Sequence, residues 1–85
     1  MTENPYLQSL IAQNNLVNKS LIFAGDNVTK IIEEIEELEY LNINYNYPNF
    51  TELMAQKLKE LEMALHKLEL EIAESGKWKQ KLQNI

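Results

Sequence analysis

The chain has 85 residues and a net charge of −5; all eight cations are lysine, there is no cysteine, and His66 is the single histidine. That composition removes disulfides, thiolate metal sites and histidine clusters, so a chain this short must rely on helix packing and oligomerisation. Arginine, the preferred fork for phosphate and guanine edges, is missing, and the balance is acidic, so no direct contact with nucleic acid is expected.

The first periodic segment places apolar residues at Leu7, Leu10, Val17, Leu21, Ala24, Val28, Ile31, Ile35 and Leu38, in steps of three and four with Asn14 filling the gap. This is a heptad pattern, with Leu7, Asn14, Leu21, Val28 and Ile35 at a and Leu10, Val17, Ala24, Ile31 and Leu38 at d. Pro5 suits a first helical turn, with Thr2 or Asn4 as the cap. The weak point is AGDN, residues 24–27, where a glycine and two capping residues could divide the arm and give a three-helix bundle instead.

The next stretch, NINYNYPN at 42–49, alternates asparagine with isoleucine or tyrosine. It reads as the hinge of a helical hairpin, because asparagine and proline are turn residues. Two rivals stay open. One is a short strand pairing with its copy in another subunit. The other is a ligand loop built on Tyr40, Tyr45, Tyr47 and Phe50.

The second arm starts at Asn49, with Glu52 at capping-box spacing, and runs through Met54, Leu58, Leu61, Leu65, Leu68 and Ile72. Its expected a positions are Leu58, Leu65, Ile72 and Lys79, and its d positions Met54, Leu61, Leu68, Ser75 and Leu82. Gly76 is read as a terminal cap, which would make the tail with Lys77, Trp78 and Lys79 a separate short helix. Folding the arms together pairs Leu38 with Met54, Ile35 with Leu58, Val28 with Leu65 and Asn14 with Lys79, with the symmetry point near residue 46, inside the hinge.

The expected fold is therefore all-α: a long antiparallel, coiled-coil-like hairpin in one domain spanning 1–85. Arm one covers about 5–43 with a break considered at 25–27, the hinge 42–49, arm two about 49–75 and the basic tail 76–85. Off-seam apolar residues, among them Ile11, Ile22, Phe23, Ile32, Met63 and Leu70, lead to an expectation of self-association, most simply as a dimer forming a four-helix bundle.

The densest charge cluster is EEIEELE, residues 33–39. Its paired E-x-x-E spacings resemble the magnesium-holding helix of the MazG-like nucleotide pyrophosphohydrolases. That family also needs a later acidic motif ending in aspartate, and the only aspartate here is Asp26, upstream. The segment LMAQKLKEL, residues 53–61, resembles the small aspartyl-phosphate phosphatases of the sporulation phosphorelay, also helical hairpins. Their serine and aspartate are replaced here by Ala55 and Lys59, so the activity does not carry over. No enzyme activity, metal or cofactor is expected.

The expectation is a non-enzymatic protein–protein interaction module: an adaptor, an assembly factor or an inhibitor. Its contact residues would be Glu33, Glu34, Glu36, Glu37 and Glu39, the hinge aromatics Tyr45 and Tyr47, and Trp78 in the tail, with a basic protein surface as partner. Ten asparagines beside lysine as sole cation suggest an AT-rich source, so a phage-encoded inhibitor of a host nucleic-acid enzyme is the specific form considered. The alternative is a helical oligomer that sequesters a nucleotide. MTENPYLQ lacks a basic region followed by an apolar run, and no apolar run reaches membrane length, so a cytoplasmic protein without membrane contact is expected.

Overall fold

Two helices account for almost all of the computed structural model, which describes residues 4–84. Helix α1 runs Pro5–Tyr45 and helix α2 Phe50–Gln83, packed antiparallel as a hairpin. The molecule is a rod of 68 × 19 × 14 Å with a radius of gyration of 19.4 Å, where a compact domain of this length would have about 12 Å. Its accessible surface of 6704 Å² likewise exceeds the roughly 5,200 Å² of an ordinary 10 kDa monomer.

Asn4 starts α1: its Oδ1 accepts from the Tyr6 and Leu7 amides at 3.1 and 3.3 Å, with Pro5 in the first turn. The other candidate cap, Thr2, lies outside the described residues. The helix passes through AGDN without a break, so the three-helix alternative does not form. Ala24 and Val28 are both buried on the seam there, and that packing outweighs the roughly 1 kcal/mol helix penalty of Gly25. The Thr29 hydroxyl also donates to the Gly25 carbonyl at 3.2 Å.

The helix runs further into 42–49 than the sequence suggested, and Asn42–Tyr45 form its last turn. There is no strand among the described residues. The chain reverses over the four residues 46–49, between two asparagines in the left-handed region: Asn46 at φ 50° and Asn49 at φ 60°. Asparagine tolerates this conformation better than most side chains. The Asn46 amide donates to the Asn42 carbonyl and the Leu53 amide to the Asn49 carbonyl, both at 3.0 Å. The expected capping box at Asn49 is absent, because in this conformation its side chain caps no amide. Glu52 still places a negative charge in the first turn, where the helix dipole favours it.

At the other end, α2 continues through Gly76 to Gln83, so the basic tail is not a separate helix and Gly76 is not a cap. Trp78 holds that stretch to the rest of α2. Its Nε1 donates to Glu74 Oε1 at 2.8 Å, one turn back, and Lys81 Nζ sits 4.1 Å from the ring centroid, one turn ahead.

The α1 half of the expected seam is present: Leu10, Val17, Ala24, Val28, Ile31, Ile35 and Leu38 are its buried residues. In α2 the expected d column is kept, with Met54, Leu61, Leu68 and Leu82 half-buried and Ser75 3% exposed, but the a column is rotated by one residue. Leu58, Leu65 and Ile72, expected at a, are 52%, 42% and 54% exposed, whereas Ala64 is 7% exposed. The seam column beside Met54, Leu61 and Leu68 is therefore Lys57, Ala64, Glu71 and Trp78, all partly or fully buried. The core cluster joins Val28, Ile31 and Ile35 to Ala64, with Met54, Leu61 and Leu68 against it.

The rotation has a steric and a polar cause. The α1 stripe is already bulky and β-branched at Val28, Ile31 and Ile35, so a small Ala64 interdigitates where leucine would crowd. Lys57 lays its aliphatic stem along the seam and carries its ammonium out to Glu34. Near the open end Ser75 donates to Asn18 Oδ1 at 3.3 Å, a second polar tie between the arms. The expected Asn14–Lys79 layer is displaced with the column: Lys79 is exposed and Trp78 takes the seam position. Asn14 Oδ1 is left buried without a hydrogen-bond partner.

Candidate functional site

The acidic run forms a collar on α1 rather than a strip. Five glutamates within seven residues spread around a 3.6-residue helix, with Ile35 and Leu38 turned into the seam between them. Glu33, Glu36, Glu37 and Glu39 are exposed; Glu34 is half-buried. Among the described residues, Glu34 alone of the five is engaged by a lysine: Lys57 Nζ lies 2.6 Å from its Oε2 and 3.3 Å from Glu60 Oε2.

The Lys57 hydrogen bond holds the Glu34 carboxyl below its ordinary value, against a smaller opposing desolvation. Glu34, and then Glu60, in turn raise the Lys57 ammonium above its ordinary value. The pair's stabilisation is thus fully present above the unfolded glutamate value of about 4.3 and below the unfolded lysine value of about 10.4. It is lost as pH falls through Glu34's depressed folded pKa, or rises through Lys57's elevated one. Glu34→Gln should accordingly melt below the parent at pH 7, and the gap should close in strong acid, where Glu34 is itself protonated. Melting curves by circular dichroism from pH 7 to pH 2 check this, and a gap that stays constant would contradict it.

Beside the pair runs one broad face of the hairpin, grooved and mixed in character. A groove of about 230 Å³ near the hinge is lined by Glu37, Leu41, Tyr47, Leu53 and Lys57 among others. A second, of about 430 Å³, continues along the same face past Asn27, Lys30, Glu60, Met63 and Lys67, and Glu34 borders both. Of the expected contact residues, the structure thus gathers Glu34, Glu37 and Tyr47 at one groove. Tyr45 ends α1 and is 71% exposed. Trp78 stands 28 residues into α2, about 42 Å from the hinge, and belongs to no common surface with the others.

The acid pairs gather no third ligand. Among the described residues, no group of three or more His, Cys, Asp or Glu side chains is placed to hold a metal. His66 borders a third depression, of about 370 Å³, with Lys59, Glu62 and Met63. Among the described residues, no helix is long and apolar enough to cross a membrane.

The sequence reading found the α1 half of the second broad face and missed its α2 half. The grooves lie on one side of the seam; on the other, Ile11, Ile22 and Ile32 of α1 share a side with Leu58, Leu65 and Ile72 of α2, all exposed. The missed signal was a competition between two phases of α2. The column Leu58, Leu65, Ile72 is more apolar than Lys57, Ala64, Glu71, and the stronger stripe was assigned to the intramolecular seam. Comparison with protein-family models, curated proteins and solved structures finds no match.

Proposed function

We propose that the chain is a non-enzymatic protein–protein interaction module, an adaptor, assembly factor or inhibitor, that works as a homo-oligomer in the cytoplasm and presents its hinge end to a basic partner surface. The observation that carries this reading is the collar of Glu33, Glu36, Glu37 and Glu39, exposed around the last turns of α1 beside Tyr45 and Tyr47. Carboxylates on a rigid helix, next to aromatic side chains with large apolar area, suit docking against a lysine- or arginine-lined groove. A phage-encoded inhibitor that occupies a host enzyme's nucleic-acid groove is the specific form this chemistry favours.

Reversing Glu33, Glu36, Glu37 and Glu39 to lysine tests the reading. Glu34 is left alone because it ties the arms together. The quadruple variant should keep its helical circular dichroism and lose its partner by at least tenfold in affinity. Undiminished binding would sink the proposal. The second reading, nucleotide sequestration, draws on the groove holding Asn27, Lys30 and Lys67. Glu34 and Glu60 line the same groove and oppose a phosphate there. A thermal-shift panel of nucleotides separates the two, since a bound ligand must raise the melting temperature.

A further inference from the structure

We infer that the apolar broad face is covered by a second copy of this chain, packed face to face and head to tail, so that the hinge of one hairpin lies against the open end of the other. This deepens the self-association proposed above by naming the face and the orientation.

The face is built from Ile11, Ile22 and Ile32 on α1 and Leu58, Leu65 and Ile72 on α2, each 41–64% exposed. The three α2 residues recur every seven positions, so they hold one line along the helix. Among the described residues, the hairpin alone buries no large side chain completely. It exposes on the order of 1,500 Å² more surface than an ordinary monomer of its mass. A face bounded by the 68 Å and 19 Å extents covers on the order of 1,000 Å², above the roughly 800 Å² per partner that a stable interface needs. Area and apolar character therefore fit a helical-bundle interface.

Charge selects both the occupant and its direction. Leaving out the charges that line the grooves of the other face, the hinge half, residues 25–65, carries six acids against one lysine. The open half, residues 4–24 and 66–84, carries four lysines against three acids. Two copies with their hinges together would stack acid on acid. Two copies reversed set each acidic half against the other's lysine-rich half, and a two-fold axis across the middle of the face closes the assembly. Gly25 lies on this face near the middle of the rod, and a Cβ added there would meet nothing within 4 Å, so the backbone of a partner can approach closely at the crossing.

Sedimentation equilibrium of the full chain at micromolar concentration should give twice the 10.0 kDa chain mass. Leu65→Asp should halve that mass with helical dichroism retained. Met63→Asp, on the grooved side, should stay dimeric. A monomeric parent chain, or a dimer that survives Leu65→Asp and dissociates with Met63→Asp, would overturn the proposal. Orientation is read by mixing single-cysteine variants Leu58→Cys and Ile72→Cys in a chain that has no other thiol. Mixed disulfides should dominate if the copies are reversed; homodisulfides would overturn the head-to-tail arrangement. Both measurements use the chain alone, so their failure leaves the acidic-end binding untouched.

Discussion

Ala64→Asp should abolish most of the helical signal at 222 nm under conditions where Leu65→Asp keeps it. Ala64 is buried in the core cluster with Val28, Ile31 and Ile35, and its neighbour Leu65 faces outward. A carboxylate at position 64 would be buried without a partner, which costs about 3–5 kcal/mol. An 85-residue chain has a total stability of only about 4–13 kcal/mol, so that loss removes a large part of it. At position 65 the same charge meets solvent or, in the proposed dimer, the second copy. Urea unfolding of the two variants side by side measures the difference. If Leu65→Asp were the one that unfolded, α2 would be packing on its Leu58, Leu65 and Ile72 column, and the seam described above would be wrong.

The second large effect has the opposite sign. Asn14→Leu should stabilise the protein by about 1–3 kcal/mol, because Asn14 Oδ1 is buried without a hydrogen-bond partner. Asparagine at such a seam position gives up stability, and its known use is to fix register. The variant should thus be more stable and less specific in its pairing. A rise in the urea midpoint at constant protein concentration is the expected result, and a fall would mean that Asn14 has a partner in solution. Register here has other anchors: Lys57 to Glu34 toward the hinge, and Ser75 to Asn18 toward the open end.

Much of the architecture was legible because the seam is the one apolar stripe of α1 that keeps a regular heptad; its other apolar residues, such as Ile11, Ile22 and Ile32, are scattered off it. Every residue from Leu10 to Leu38 on the expected d column is buried, and the reversal falls inside NINYNYPN as the two periodic segments require. The hinge was shorter than expected because helix continues wherever its hydrogen bonds can. Asn44 illustrates this: as a turn residue it was assigned to the hinge, yet it sits within the last turn, with its side-chain Nδ2 also donating to the Tyr40 carbonyl at 2.8 Å. The left-handed backbone of Asn46 and Asn49, which makes the reversal, leaves no periodic trace to read.

Helix α2 was harder for a physical reason. It carries two stripes, and hydrophobicity alone ranks the outward one first. Choosing correctly requires seeing that α1 presents bulk where Ala64 fits, and that a lysine can lie in a seam when its ammonium reaches a carboxylate. The candidate site was legible in composition and not in geometry. The five glutamates were found, but their spread around the helix and the withdrawal of Glu34 into an ion pair follow only from the packed hairpin. Trp78 was read as part of a free tail because Gly76 precedes it; the helix runs on, and the indole is held by Glu74 and Lys81.

The reading of the hinge end as a docking surface is tested most directly by capturing the tagged chain from a lysate of its source cells and weighing what it retains by native mass spectrometry. The account predicts a second protein in fixed stoichiometry with the hairpin, released by salt because the contact is ionic. Recovery of the chain as a self-oligomer alone, or with only a small-molecule mass added, would contradict it.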